Sequence, residues 1–109
     1  MQKRSIAELN DAFRRGQPDV PGRIMMTPSV SSLPPEEVQE ILGKVQTFDD
    51  FTQDNDPYGE HDLGTFEYQD QTILWKMDYY NTSLDKGSED PTDLNKTIRI
   101  ITIMFSHEY

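Results

Sequence analysis

One run near the C-terminus restricts the fold more than any other: residues 97–105 hold four Ile and two Thr in nine positions. β-Branched side chains are stiff at χ1 and pack well on a pleated surface, so this run predicts a strand. Its nearly unbroken apolar character further predicts a central strand buried on both faces. Such a strand needs neighbours. In residues 72–80, Ile73, Trp75, Met77 and Tyr79 alternate with Leu74, Lys76, Asp78 and Tyr80, and Phe66 and Tyr68 alternate with polar positions just before them. A Gln69-Asp70-Gln71 turn between the two predicts a hairpin. Residues 23–27 supply a fourth short apolar strand, closed by Pro28.

Two helices accompany these strands. Ser5-Ile6-Ala7-Glu8 has the spacing of a capping box, in which the Ser hydroxyl and the Glu carboxylate satisfy the first free amides reciprocally. Ile6, Leu9 and Phe13 then lie on one face, Arg14 and Arg15 stand near the negative end, and Gly16 can close the helix. After the Ser/Pro-rich residues 28–35, read as a loop, Val38, Ile41, Leu42 and Val45 repeat with helical spacing and predict a second helix over 34–46. The order α-β-α-β-β-β, with short links between the later strands, predicts a single α+β domain over 1–109. Both helices are expected on one face of a mainly antiparallel sheet of about four strands.

Charge is distributed unevenly. Residues 1–44 carry six acids and six bases, whereas residues 45–109 carry fourteen acids and four bases, which accounts for the net charge of −10. Residues 47–70 hold eight acids and no Lys or Arg. Phosphate contact needs clustered cations, and Lys3-Arg4 and Arg14-Arg15 are the only local groupings, so direct nucleic-acid binding is disfavoured. The field favours a basic partner. No apolar run approaches the roughly 20 residues of a membrane helix, no signal-type segment opens the sequence, and cysteine is absent, so a cytoplasmic location is expected.

The long acidic connection before Phe66 is the leading candidate for a working surface. Asp54-Asn55-Asp56-Pro57-Tyr58-Gly59 copies the first half of a calcium loop, with acids at positions 1 and 3 and Gly at 6. The second half fails, because Thr65 stands where a bidentate Glu belongs. An irregular divalent-ion site drawing on Asp49, Asp50, Asp54, Asp56 or Asp62 stays open beside a solvated loop with Asx turns. Glu60-His61-Asp62 sets an imidazole between two carboxylates, suited to a general acid or a metal ligand, or simply to a His bonded within its own loop. Asp78 shares a strand face with Lys76 and is read as an ion pair or as a carboxylate facing the loop. Trp75 is expected in the core and Tyr58 as a binding anchor. No Ser elbow, Cys nucleophile or phosphate-cradling Gly loop is present.

Residues 55–64 (NDPYGEHDLG), 75–80 (WKMDYY), 88–91 (SEDP) and the terminal Glu108-Tyr109 together resemble a family of small bacterial proteins of unknown function. The likeness covers nearly the whole chain and implies no activity, cofactor or catalytic residue. It implies instead the setting of plasmid and prophage accessory products, among which small acidic proteins disarm restriction or CRISPR systems. The expectation is a non-enzymatic binder without cofactor, presenting a nucleic-acid-like negative surface to a basic nuclease or CRISPR effector subunit. Its contact residues are expected to be Asp49, Asp50, Asp54, Asp56, Tyr58, Glu60, His61, Asp62 and Asp78, continued by Asp85, Glu89, Asp90 and Asp93. The alternatives are a small divalent-metal hydrolase or lyase using Glu60, His61, Asp62 and Asp78, and a homodimer formed through an exposed sheet edge.

Overall fold

The computed structural model describes residues 4–109, so Lys3 of the Lys3-Arg4 pair lies outside the described residues. Helix α1 spans Ile6–Arg14, strand β1 Gly22–Met26, the short helix α2 Pro28–Ser31 and helix α3 Pro35–Gln46. Strands β2 (Leu63–Tyr68), β3 (Gln71–Tyr80) and β4 (Ile98–Phe105) follow, and a 3₁₀ turn at Ser106–Glu108 ends the chain. The architecture is the expected α+β arrangement of helices on a mostly antiparallel sheet.

The capping box forms as its spacing predicts: Ser5 Oγ accepts from the Glu8 amide at 3.1 Å and Glu8 Oε1 accepts from the Ser5 amide at 2.9 Å. The β2–β3 hairpin turns on Gln69 (φ +48°) and Asp70 (φ +64°), the two left-handed residues of a tight turn whose twist matches the strands. Strand order is β1-β4-β3-β2, with β1 parallel to β4 and the other pairs antiparallel.

Two expectations need correction. Residues 28–35 include a helical turn, α2, started by Pro28 where its missing N–H costs nothing. And β4 is central but not buried on both faces along its length: Arg99, Ile101 and Ile103 are fully enclosed, whereas on the other face Ile98, Ile100 and Thr102 are half-buried and Met104 alone is buried. The helices cover only one face. Leu9, Ala12 and Phe13 of α1, Val30 of α2, and Ile41 and Val45 of α3 pack with Ile73, Trp75, Met77, Ile101, Ile103 and Phe105 into one core.

Two cations lie inside this fold. Arg14 and Arg99 are both 0% exposed, one at the end of α1 and one on the helix-facing side of β4. Their partners define the geometry of the acidic loop.

Candidate functional site

Between α3 and β2 the chain makes no regular element, yet it is held at many points. Thr52 and Asn55 bond reciprocally, with the Thr52 amide donating to Asn55 Oδ1 at 2.8 Å and the Asn55 amide to Thr52 Oγ1 at 3.3 Å. Asn55 Nδ2 also donates to the Asp50 carbonyl at 2.8 Å. This is the local side-chain bonding that Asn and Thr favour in turns.

Asp56 forms the next anchor. Its residue is 9% exposed, and its carboxylate accepts the Glu60 amide at 3.0 Å and the His61 amide at 3.2 Å. Gly59 (φ +64°) lets the chain turn back over it. His61, itself left-handed at φ +57°, is thereby aimed at α1. Its Nδ1 lies 3.0 Å from both oxygens of Asp11, and its Nε2 lies 3.7 Å from Asp56 Oδ2. Phe51 stacks on the imidazole at 4.0 Å with the planes 2° apart. The carboxylates flanking the ring in space are therefore Asp11 and Asp56, a correction to the sequence reading, which placed Glu60 and Asp62 beside it.

Helix α1 supplies the rest of the clasp. Arg14 Nη2 donates to Asp11 at 2.8 Å, and its Nη1 donates to the carbonyls of Val45 and Phe48 at 3.0 and 2.7 Å. The guanidinium lies over Trp75 at 5.2 Å and Phe51 at 5.5 Å. Asn10 Nδ2 donates to the Glu60 carbonyl at 3.0 Å and to Tyr79 Oη at 2.8 Å, while Asn10 Oδ1 accepts from Arg99 Nε at 2.7 Å. Arg99 Nη2 continues to the Pro91 carbonyl at 2.6 Å. Asn10, Asp11 and Arg14 thus tie the loop to the sheet. Nothing in the sequence reading assigned them this role; the available signal was a polar pair at i and i+4 beside the apolar stripe of α1.

The expected site residues separate by position. Asp49, Asp50, Asp54 and Tyr58 are exposed, Tyr58 at 87%. Glu60, His61, Asp62 and Asp78 are half-buried, and Asp56 is buried. Asp78 accepts from Lys76 Nζ at 2.7 Å along its own strand. Asp85, Asp90 and Asp93 accept hydrogen bonds within their turns, and Glu89 lies 3.6 Å from Lys96. Lys86 and Lys96 both line a cavity of 350 Å³ in that segment, so positive charge interrupts the acidic surface there. Among the described residues no three His, Asp or Glu side chains are grouped to hold a metal ion. No helix among them is long and apolar enough to cross a membrane.

Burial and the crowding of carboxylates shift the acids of this loop. Burial, then Asp62 and Asp56, push the Glu60 carboxyl up, partly offset by a hydrogen bond from Tyr79. Burial, with Asp56 and Asp78, pushes Asp62 up as well. The Tyr79 phenol is pushed up to about 12, chiefly by burial, and stays protonated as a donor. Glu8 and Glu108 are held below the ordinary 4.5 by backbone amides at Ser5 and Phe105. An acid whose folded pKa is raised destabilises the fold at neutral pH, and that penalty disappears as pH falls through the raised value toward the unfolded one. An acid whose folded pKa is lowered contributes stability above its unfolded value, lost as pH falls through the folded one. Melting temperature is therefore expected to rise from pH 7 toward 4.5 and to fall below it. Glu60→Gln should flatten the rising limb in a pH series of thermal melts, and an unchanged limb would count against the crowding.

The chain belongs to the DUF3768 family, described as a protein of unknown function, whose model matches residues 26–108. The match runs from the end of β1 to the terminal 3₁₀ turn and takes in the whole acidic loop. No curated protein and no solved structure matches the chain.

Proposed function

We propose that this member of the family is a non-enzymatic binding protein that offers a rigid acidic surface to a basic protein partner. In this reading it is an anti-defence product of a mobile element. Its carboxylates stand in for nucleic-acid charge in the basic groove of a nuclease or CRISPR effector subunit. The observation that carries the reading is the use of buried and half-buried polar groups to fix an exposed loop. Asp56, His61, Asp11 and Asn10 are all engaged in holding it, while Asp49, Asp50, Asp54 and the 87% exposed Tyr58 face solvent. A loop ordered beforehand loses little entropy on docking, and an exposed aromatic among acids is the composition of a contact anchor with a charged rim. Like charges held on one surface steer a basic partner and give fast, salt-sensitive association.

A divalent-metal hydrolase using Glu60-His61-Asp62 receives no comparable support. Both nitrogens of its imidazole face carboxylates that hold the loop, and the described residues offer no converging ligand set.

The test is retention of partners by the tagged protein in lysate from a bacterium carrying restriction and CRISPR machinery, washed at low and high salt. A basic nuclease or effector subunit should be retained at low salt and released at high salt. The triple variant Asp49→Asn, Asp50→Asn, Asp54→Asn should lose it at low salt, with the melting temperature unchanged because these side chains are exposed. Tyr58→Ala should weaken binding by about 30-fold, as expected of an anchor worth roughly 2 kcal/mol. Retention unaffected by the triple substitution would overturn the reading.

A further inference from the structure

Four large hydrophobic side chains are exposed among the described residues, and the two aliphatic ones are consecutive: Ile24 at 38% and Met25 at 51%. Both lie in β1, which ends the sheet on the side away from β2. Successive residues of a strand point to opposite faces, so this edge is apolar on both faces at once. A solitary exposed hydrophobe needs no explanation, but a strand-edge pair of this kind is what an added neighbouring strand covers.

The backbone points the same way. The Arg99 amide donates to the Pro21 carbonyl at 3.2 Å, and the Thr27 amide donates to the Ile103 carbonyl at 3.1 Å. Odd-numbered residues of β1 therefore face β4, and alternation directs the N–H and C=O groups of Gly22, Ile24 and Met26 outward. No proline interrupts these outward positions, since Pro21 and Pro28 only bracket the strand. Arg23 is the one charged residue in β1.

We propose that β1 pairs antiparallel with β1 of a second copy of this chain about a two-fold axis at Ile24. In that register Ile24 meets its counterpart as a hydrogen-bonded pair and Gly22 meets Met26, so every outward backbone group finds a partner. Arg23 falls opposite Met25, which avoids a like-charge contact across the axis. The occupant is a second copy because the register is self-complementary and because charge permits it. Residues 1–44, which contain β1, balance six acids with six bases, whereas the acidic loop enters the sheet at β2 on the opposite edge. Two copies can approach along β1 without bringing their acidic loops together. Pairing along β2, which carries Glu67 and leads into Asp70, opposes like charges instead. The product is one continuous sheet with an acidic loop toward each end. Its use as a bivalent binder rests on the reading above, whereas the pairing itself rests on the strand alone.

The experiment is sedimentation equilibrium of the full chain over a wide concentration range, at two salt concentrations and with no partner present. The mass should move from one chain to two, with a midpoint on the order of 10–100 µM for so short an edge. The double variant Ile24→Lys, Met25→Lys should remain a single chain throughout with its circular dichroism preserved, as both side chains are exposed. Thr65→Lys on β2 should dimerise like the parent. Constant single-chain mass for the parent, or dimerisation abolished by Thr65→Lys and not by the β1 variant, would overturn the proposal. A parent that stays single-chain yet accepts a strand from another protein would do the same.

Discussion

Arg14→Met is expected to destabilise the protein by about 3–5 kcal/mol, the range for removing one partner from a buried charged network. A domain of this size has roughly 5–15 kcal/mol in total, so the melting temperature should fall by about 15 °C or more. The reason is the number of groups that one guanidinium serves. It donates to the carbonyls of Val45, Gln46 and Phe48, of which Val45 and Gln46 are the last residues of α3, past the reach of the regular i+4 ladder, Val45 also accepting from the Phe48 amide at 3.3 Å. A cation at a helix C-terminus also meets the negative end of the helix dipole. The same side chain holds Asp11, which in turn holds His61. Methionine fills the volume against Trp75 and Phe51 but removes the side-chain donor from all three carbonyls, leaving Val45 with the Phe48 amide at 3.3 Å, and takes the guanidinium from Asp11. Arg14→Lys should recover only part of the loss, because an ammonium cannot span the carbonyls and the carboxylate together. Chemical denaturation of the three proteins checks this, and a loss under 1 kcal/mol for Arg14→Met would show that the network is not what holds α1 to α3.

Ser5 and Glu8, the hairpin around Gln69 and Asp70, and the β-branched run of β4 were legible because each signal and its consequence lie within a few residues. What escaped the sequence depends on partners far apart along the chain. Asp56 is the exception, since its partners, the amides of Glu60 and His61, lie only four and five positions on and are folded back onto it past Pro57 and Gly59. His61 meets Asp11 fifty positions away because α1 lies across the mouth of the loop. Arg99 reads as a blemish in an apolar strand until Asn10 and the Pro91 carbonyl are seen around it. The parallel pairing of β1 with β4 is likewise a fact of topology, since periodicity marks a strand without choosing its neighbour.

Gly64→Ala is expected to cost about 2–3 kcal/mol, at the upper end of what overpacking a core produces. Gly64 pairs with Trp75 across the β2–β3 ladder. A Cβ at position 64 would stand 2.5 Å from Trp75 Nε1 and 2.7 Å from the Phe48 ring. Neither ring can yield freely. Trp75 is 0% exposed, and its indole is in edge contact with Phe48 at 5.7 Å and with Phe51 at 6.1 Å. Phe51 carries the stacked His61, so a displaced indole pushes on the clasp that fixes the acidic loop. The methyl group should therefore do more than lower the melting temperature. Amide exchange at Glu60 and His61 should accelerate by a larger factor than global unfolding predicts, because the loop opens before the sheet does. Association with a basic partner should weaken as well, although no surface carboxylate has changed. If Gly64→Ala lowers stability but leaves exchange at those two amides tracking the global transition, then the aromatic cluster and the loop are independent. The rigid presentation of Asp49, Asp50, Asp54 and Tyr58 would then need another origin.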